Sequence, residues 1–162
     1  MASLVRQRLS DDHRAVDQVL KQLGAALHSN DTTASYSKLD LLWARLAVHI
    51  RAEHLHLVPA VLNGLSGSTD EVAEPNLGEA KSVVENLRAD HEFFMHELAR
   101  AIGILREHPE SEAHLNSVRD IVLAVEKQLA NHNEIEENQI YRWAGTILTE
   151  EEQINLATRI NA

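Results

Sequence analysis

The sequence predicts an all-α protein, an antiparallel four-helix up-down bundle followed by a short C-terminal helix. Its 162 residues suffice for one domain with a sizeable core, since 44% are hydrophobic. Four long segments space their apolar residues by three and four, the period of a helix face. Turn-forming clusters separate these segments at residues 29–33, 63–78 and 108–111. We therefore expect a single domain over residues 1–162, with the bundle core at about residues 10–145.

The first two segments each carry one apolar stripe. Ser10 is a candidate N-cap of the first helix, and Asp11 and Asp12 would then lie in the first turn, where the helix dipole favours acidic side chains. The two stripes predict buried residues at Leu9, Val16, Leu20, Leu23 and Leu27, and at Leu39, Leu42 and Leu46.

The third and fourth segments repeat this pattern, and a shorter helix follows them. A stop-like stretch at residues 144–146 ends the fourth segment. Thr149 and Glu152 match a capping box, which predicts the start of the C-terminal helix. The stripes of the third and fourth segments are Val84, Leu87, Phe94, Leu98, Ile102 and Leu105, and Leu115, Val118, Val122, Val125 and Leu129.

Composition excludes several classes of function. The formal net charge of −10 disfavours nucleic acid and anionic membranes as partners. The chain has no cysteine, which removes disulfides, thiolate metal sites and cysteine nucleophiles. No run of about 18 apolar residues and no signal-peptide pattern occurs, so a soluble, cytoplasmic protein is expected. Ten histidines are the unusual feature of the composition.

Polar residues interrupt each stripe at positions where leucines are expected. Burying an ionised carboxylate without a partner costs several kcal/mol, and these positions hold two glutamates among four imidazoles. A metal would neutralise the carboxylates and use the imidazole lone pairs. The candidate metal ligands are His13, His49, Glu53, His91, His132 and Glu136.

The candidate ligands form two copies of one pattern, each a single His followed by a His-x-x-x-Glu pair. The two copies are offset by 78 residues at His13 and His91 and by 83 residues at His49 and His132. In an antiparallel hairpin, residues at one level are equidistant from the turn. Residue 31 lies midway between the first two histidines, and residues 111–112 lie midway between the second two. Both midpoints fall at predicted breaks, so we expect all six ligands in one layer of the bundle.

Four imidazoles and two carboxylates suit a pair of ions, each held by two imidazoles and both bridged by the two carboxylates. Hard oxygen ligands mixed with imidazole favour iron or manganese, and zinc is possible. Six protein ligands leave open coordination positions, where a small molecule can bind.

This ordered set of six resembles the hemerythrin-like (HHE cation-binding) domain family, whose members carry His and His-x-x-x-Glu motifs on a four-helix bundle. The resemblance covers about residues 10–145 and includes the flanks of the two pairs, residues 49–59 and 132–141. It implies a non-haem di-iron site, with two iron ions that bind oxygen, nitric oxide or peroxide.

The sequence departs from the oxygen-carrying members of that family at one position. Those members have a further His four residues after the third-helix His, where this sequence has Met95. His96 is next, but it lies about 140° around the helix from His91. The missing imidazole moves the expectation from simple oxygen carriage toward sensing or detoxifying nitric oxide or peroxide, with an oxidoreductase activity left open.

The sequence is also compatible with other functions, and several residues near the candidate ligands have less certain roles. A metal-stabilised structural module, loaded with zinc or iron and without gas chemistry, is the main alternative, and iron storage or delivery is another. His56 is expected to pack beside the site rather than to bind metal. Asp12 and Asp90 could orient the histidines that follow them. We expect His54, His96 and His114 to be solvated, and Tyr141 to face away from the site. The sequence does not indicate protein partners.

Overall fold

The computed structural model of the protein describes residues 4–67, 75–109 and 111–161. This part of the chain is helical apart from short connections. Two helices are each interrupted by a single π-helical turn, which we label π1 and π2. In chain order the elements are α1 (Leu4–His28), α2 (Thr32–Ala52), π1 (Glu53–Leu57), α3 (Val58–Ser66), α4 (Leu77–Glu107), α5 (Glu112–Ile135), π2 (Glu136–Ile140), α6 (Tyr141–Ile147) and α7 (Glu150–Asn161).

Two tight connections match the predicted breaks. Asn30 has a φ of 54°, a left-handed conformation that asparagine tolerates well at the end of a helix. Asp31 then caps α2 by accepting from the backbone N–H of Ala34. Ser111 caps α5 in the same way, through the N–H of His114. Each pair of long helices is therefore joined by a short turn that its own polar side chains stabilise.

The long helices form a bundle around a shared core. α1 packs along α2, α4 packs along α5, and α2 also contacts α4. Every residue predicted for the four apolar stripes is buried, from Leu9 to Leu129. The prediction of four amphipathic helices is confirmed in this respect.

The two π-helical turns begin at the two glutamates of the predicted ligand set. In π1 the N–H of Val58 donates to the carbonyl of Glu53, and in π2 the N–H of Tyr141 donates to the carbonyl of Glu136. Each bond spans five residues instead of four, so each turn holds one extra residue. The extra residue rotates everything after it by about 100° relative to a regular helix.

The core consists of two apolar clusters, which we call the turn-end cluster and the far-end cluster. The turn-end cluster includes residues of α1, α2, α4 and α5 near the two tight connections, such as Leu23, Leu39 and Val118. The far-end cluster is built from the remaining ends of α1 and α4 together with α3, α6 and α7. The predicted ligands lie between the two clusters along every helix, so a buried polar layer separates them.

Three predicted boundaries are wrong. Ser10 lies inside α1 instead of capping it, because Val5 and Leu9 continue the buried stripe toward the N-terminus. The fourth segment continues past residues 144–146 to Ile147, and the backbone becomes extended at Leu148. α3 runs through the start of the second predicted break, of which residues 68–74 lie outside the described residues.

Position 64 holds a glycine where α3 approaches α6 closely. A Cβ added to Gly64 would lie 2.5 Å from Cγ2 of Ile147, closer than two carbons can pack. The predicted capping box at the start of α7 is confirmed, since Thr149 and Glu152 exchange side-chain and backbone hydrogen bonds of 3.2 Å. Among the described residues, none of the helices has the length and apolar character needed to cross a bilayer.

Candidate metal centre

The fold brings all six predicted ligands together, and all six are buried. Their donor atoms form two groups that share one residue, Glu136. Within each group the donor atoms lie within 4.8 Å of one another. The first group is His13, His49 and Glu136, and the second is His91, His132 and Glu136. Each group therefore takes its two imidazoles from one helical hairpin.

Glu136 faces the two groups with different oxygens. Its Oε1 lies 3.0 Å from Nε2 of His13, and its Oε2 lies 3.2 Å from Nε2 of His132 and 3.5 Å from Nε2 of His91. A carboxylate that presents one oxygen to each of two donor groups has the geometry of a bridge between two cations.

Glu53 lies across the layer from Glu136 and also reaches both groups. Its Oε1 lies 3.0 Å from Nε2 of His49 and 3.8 Å from Nε2 of His91. Within the described residues this buried oxygen makes no hydrogen bond of acceptable geometry. A buried carboxylate oxygen with no hydrogen-bond partner is costly, and a cation would satisfy it.

Two aspartates orient two of the imidazoles. Asp12 Oδ2 accepts from Nδ1 of His49 at 3.2 Å, and Asp90 Oδ2 accepts from Nδ1 of His132 at 3.0 Å. Because a carboxylate can only accept, each Nδ1 carries the proton and each Nε2 lone pair is left for a metal. The sequence prediction named the right aspartates but paired them with the histidines that follow them. Each aspartate instead reaches the neighbouring helix of its hairpin.

The other two imidazoles have unequal partners. Nδ1 of His91 lies 2.8 Å from Nε2 of His54, whereas Nδ1 of His13 has Glu137 at 3.9 Å. His54 is half-buried rather than solvated, so the prediction for this residue is wrong. His54 immediately follows Glu53, and residues offset by one do not share a helix face, so the sequence offered no signal for this contact.

Tyr141 is the buried residue that sequence reasoning placed on the wrong side. Its hydroxyl lies 3.0 Å from Nε2 of His13 and 3.2 Å from Nε2 of His49. It also lies 3.3 Å from Oε2 of Glu53 and 3.3 Å from Oε1 of Glu136. On a regular helix Tyr141 would face away from His132, but the extra residue in π2 brings it to within about 40° of Glu136.

The two glutamates have opposite pKa shifts. Burial and the nearby charge of Glu136 raise the pKa of Glu53 to about 8. Burial alone would raise the pKa of Glu136 too, but hydrogen bonds from Glu53 and three imidazoles hold it well below its usual range. Without a cation, the layer therefore keeps a proton on one of its two carboxylates at neutral pH. A bound cation would favour ionisation of both.

The histidine pKa values follow their surroundings. Burial opposes the charged form of His49, yet the charge of Glu53 and the bond to Asp12 raise its pKa well above the usual value. Burial likewise opposes charge on His132, whose pKa the hydrogen bond to Glu136 raises. For His91, burial prevails and the pKa is lowered. Burial also raises the pKa of Tyr141, and the charge of Glu53 adds to that effect.

The donor set fits a pair of metal ions. Nε2 of His91 and Nε2 of His132 face each other at 3.0 Å, as two lone pairs do when they converge on one cation. Imidazole nitrogens and carboxylate oxygens together suit iron, manganese or zinc. The layer is buried between the two apolar clusters, which strengthens the electrostatic attraction for a cation.

The remaining residues considered for the site do not contribute to either donor group. His96 is exposed, and Met95 packs partly buried against the turn-end cluster. His56 is half-buried and lies outside both donor groups, as expected. Neither side chain therefore adds a nitrogen or oxygen donor to the group of His91 and His132.

The chain matches one known protein family. The family model described as "Hemerythrin HHE cation binding domain" matches residues 4–144, which includes all six predicted ligands. No curated protein and no solved structure matches the sequence.

Proposed function

The chain belongs to the hemerythrin HHE cation-binding family, and from this premise we propose that it is a non-haem di-iron protein that binds oxygen, nitric oxide or peroxide. One observation carries the proposal: two buried donor groups share Glu136, each with two imidazoles from its own hairpin. The residues that would hold the ions are His13, His49, Glu53, His91, His132 and Glu136.

We also infer the topology of the bundle that holds this site. Only three residues connect α1 to α2, and four connect α4 to α5. Connections this short join neighbouring helices that run in opposite directions. This favours an antiparallel up-down-up-down arrangement of α1, α2, α4 and α5.

The protein side chains prepare the site for metal and ligand. Asp12 and Asp90 fix the tautomer of His49 and His132, so that both present Nε2 to the layer. Glu53 and Glu136 supply the negative charge that a pair of cations requires. When bound, an iron pair supplies redox electrons and open coordination positions for a small ligand. The two apolar clusters border the layer on both sides along the bundle.

Iron is favoured over zinc by the chemistry of the donors. Each group offers two imidazoles and shares hard carboxylate oxygens, and the cluster contains no thiolate that would favour zinc. A zinc-loaded structural module is the alternative, and it would use the same side chains without gas chemistry.

Metal analysis combined with absorption spectroscopy tests the proposal. Protein produced with iron should contain about two iron ions per chain, because the layer has two donor groups. The reduced protein is then exposed separately to oxygen, nitric oxide and peroxide, and its absorption spectrum is recorded each time. At least one of the three should produce new near-UV or visible bands. A colourless, zinc-loaded protein that none of the three changes would contradict the proposal and favour the structural module.

A further inference from the structure

We propose that the phenol oxygen of Tyr141 is a ligand of the ion held by His13 and His49, whereas the ion held by His91 and His132 has no such ligand. This inference rests on the proposed function, since it requires the metal pair. It makes the two ions chemically different, and it leaves the His91 and His132 ion as the one with the open position for a small molecule.

The distances around the phenol are those between ligands of one ion. Two donor atoms that each lie about 2.1 Å from an ion are about 3.0–3.4 Å apart at octahedral or tetrahedral angles. The phenol oxygen lies 3.0 and 3.2 Å from the two Nε2 atoms of the first group. It lies 3.3 Å from one oxygen of Glu53 and 3.3 Å from one oxygen of Glu136. All four values fall in the range expected for shared coordination.

Hydrogen bonding alone accounts for this position less well. The phenol has a single hydrogen to donate, and it faces two carboxylates as well as two imidazoles. Tyr141 is completely buried, and burying a large hydroxyl-bearing side chain in a layer of ligands requires strong compensation. A metal–phenolate bond provides it, with the phenol proton released to solvent when the ion binds. Phenolate is a hard oxygen donor of the kind that iron accepts.

The second group lacks a counterpart of this phenol. The offset of 83 residues that relates Glu53 to Glu136 also relates Val58 to Tyr141, and both residues directly follow a π-helical turn. Val58 is buried and apolar, so it cannot coordinate a metal. Phe94 contributes a second apolar wall, with its ring 5.1 Å from that of His132. The position that corresponds to Tyr141 in the repeat therefore holds an apolar side chain, which offers no oxygen to the second ion.

The chain offers a matched control, because it contains only two tyrosines. Tyr36 lies on α2 away from the layer, and its hydroxyl accepts from Arg106 at 3.3 Å. The iron-loaded, oxidised full-length protein should show a visible phenolate-to-iron absorption band and tyrosine ring vibrations enhanced by excitation in that band. Tyr36→Phe should keep both signals, and Tyr141→Phe should lose both while retaining iron.

If Tyr141→Phe fails to fold, the Tyr36→Phe protein still tests the inference. Tyr141 is the sole tyrosine of that variant, so any tyrosine signal must come from it. Enhanced ring vibrations that shift on incorporation of ring-deuterated tyrosine would support coordination by Tyr141. An iron-loaded Tyr36→Phe protein without such vibrations would overturn it, as would a Tyr141→Phe protein with an unchanged band. Failure of the proposed function is distinguishable, since it would appear as absence of iron in the wild-type protein.

Discussion

The two halves of the molecule, α1 to α3 and α4 to α6, present the same candidate metal ligands in different surroundings. Each half gives one imidazole from its first helix and an imidazole and a carboxylate from its second. Each orients the second-helix imidazole with an aspartate from the first helix. Each also inserts a π-helical turn at its glutamate. The two halves therefore repeat the candidate ligands and their places along the helices, although Glu136 is the carboxylate that belongs to both donor groups.

The surroundings of the two groups differ in charge and in oxygen donors. The first group has Asp12 and Glu137 beside its imidazoles and Tyr141 within reach, whereas the second has Asp90 and the uncharged partner His54. More carboxylates close to a cation raise its affinity. The two donor groups should therefore differ in their affinity for a cation, and we expect the first group to hold its ion more tightly.

The largest expected effect comes from removing the carboxylate that both groups share. Glu136→Ala should abolish binding of both ions, and Glu53→Ala should also lose metal, because its Oε1 approaches both groups. Metal content per chain measures the effect, and circular dichroism checks that the variants remain helical. Glu134→Ala, an exposed neighbour on α5, is the matched control. Full metal content in both the Glu53 and Glu136 variants would refute the bridging assignment.

Removing one imidazole from each half separates the two sites. His13→Ala and His91→Ala should each reduce the metal content by about half, because each group has its own imidazole pair. The ion that remains in His91→Ala should resist a chelator longer than the one that remains in His13→Ala. His96→Ala, on the exposed face of α4, should leave the metal content unchanged. Equal resistance in the two variants would show that the halves are equivalent.

Replacing either orienting aspartate should have a smaller effect on metal affinity, confined to the half of the molecule that contains the aspartate. Asp12→Asn and Asp90→Asn should each lower the affinity for the ion of the same hairpin by about 10–100-fold, the usual effect of losing such a partner. Competition with a chromogenic chelator measures both affinities. Asp17→Asn, an exposed position on α1, serves as the control. An equal loss at both ions would indicate that the aspartates act on the whole layer.

A separate effect is the pH dependence of the stability of the metal-free protein. The pKa of Glu53 is raised to about 8 by burial and by Glu136. A raised carboxyl pKa stabilises the fold at pH values below the unfolded pKa of about 4.5, and this stabilisation is lost as the pH rises through about 8. Glu53 should therefore lower the free energy of unfolding by at most about 1.4 kcal/mol per pH unit across this window.

Glu53→Gln isolates that contribution, because it keeps the shape of the side chain and removes its titration. The difference in unfolding free energy between wild type and Glu53→Gln, measured by urea denaturation from pH 5 to 8, should change with pH, because only the wild type can ionise this carboxyl group. A difference that stays constant over this range would contradict the raised pKa. In the same window, the affinity for metal should rise with pH, because binding requires the ionised carboxylate.

The sequence was sufficient to predict what depends on regular helical geometry. The four stripes are buried as predicted, and the polar interruptions come together in one layer because the hairpin midpoints set their level. The helix ends were predicted less well. Ser10 was chosen as a cap on local propensity, but burial of Val5 and Leu9 extends α1 beyond it.

The misplaced residues of the site share one physical cause. Their positions were derived from 100° per residue, and each follows or lies within a π-helical turn that breaks this rule. Tyr141 comes directly after π2, and His54 lies in π1. Local propensity does not distinguish a π-helical turn from a regular one at residues 136–140, since this segment contains no Gly or Pro. The pairing of Asp12 with His49 was missed because it depends on how α1 faces α2.

The buried polar layer has a consequence for how the molecule would open. It divides the interior, so neither apolar cluster extends through the full length of the bundle. Bound cations would hold the helices together at the level where apolar packing is interrupted. When the cations leave, we expect the end built from α3, α6 and α7 to unfold more readily than the end with the tight connections. Iron supply would then set the lifetime of one half of the protein, and protease resistance there would report how much metal the cell provides.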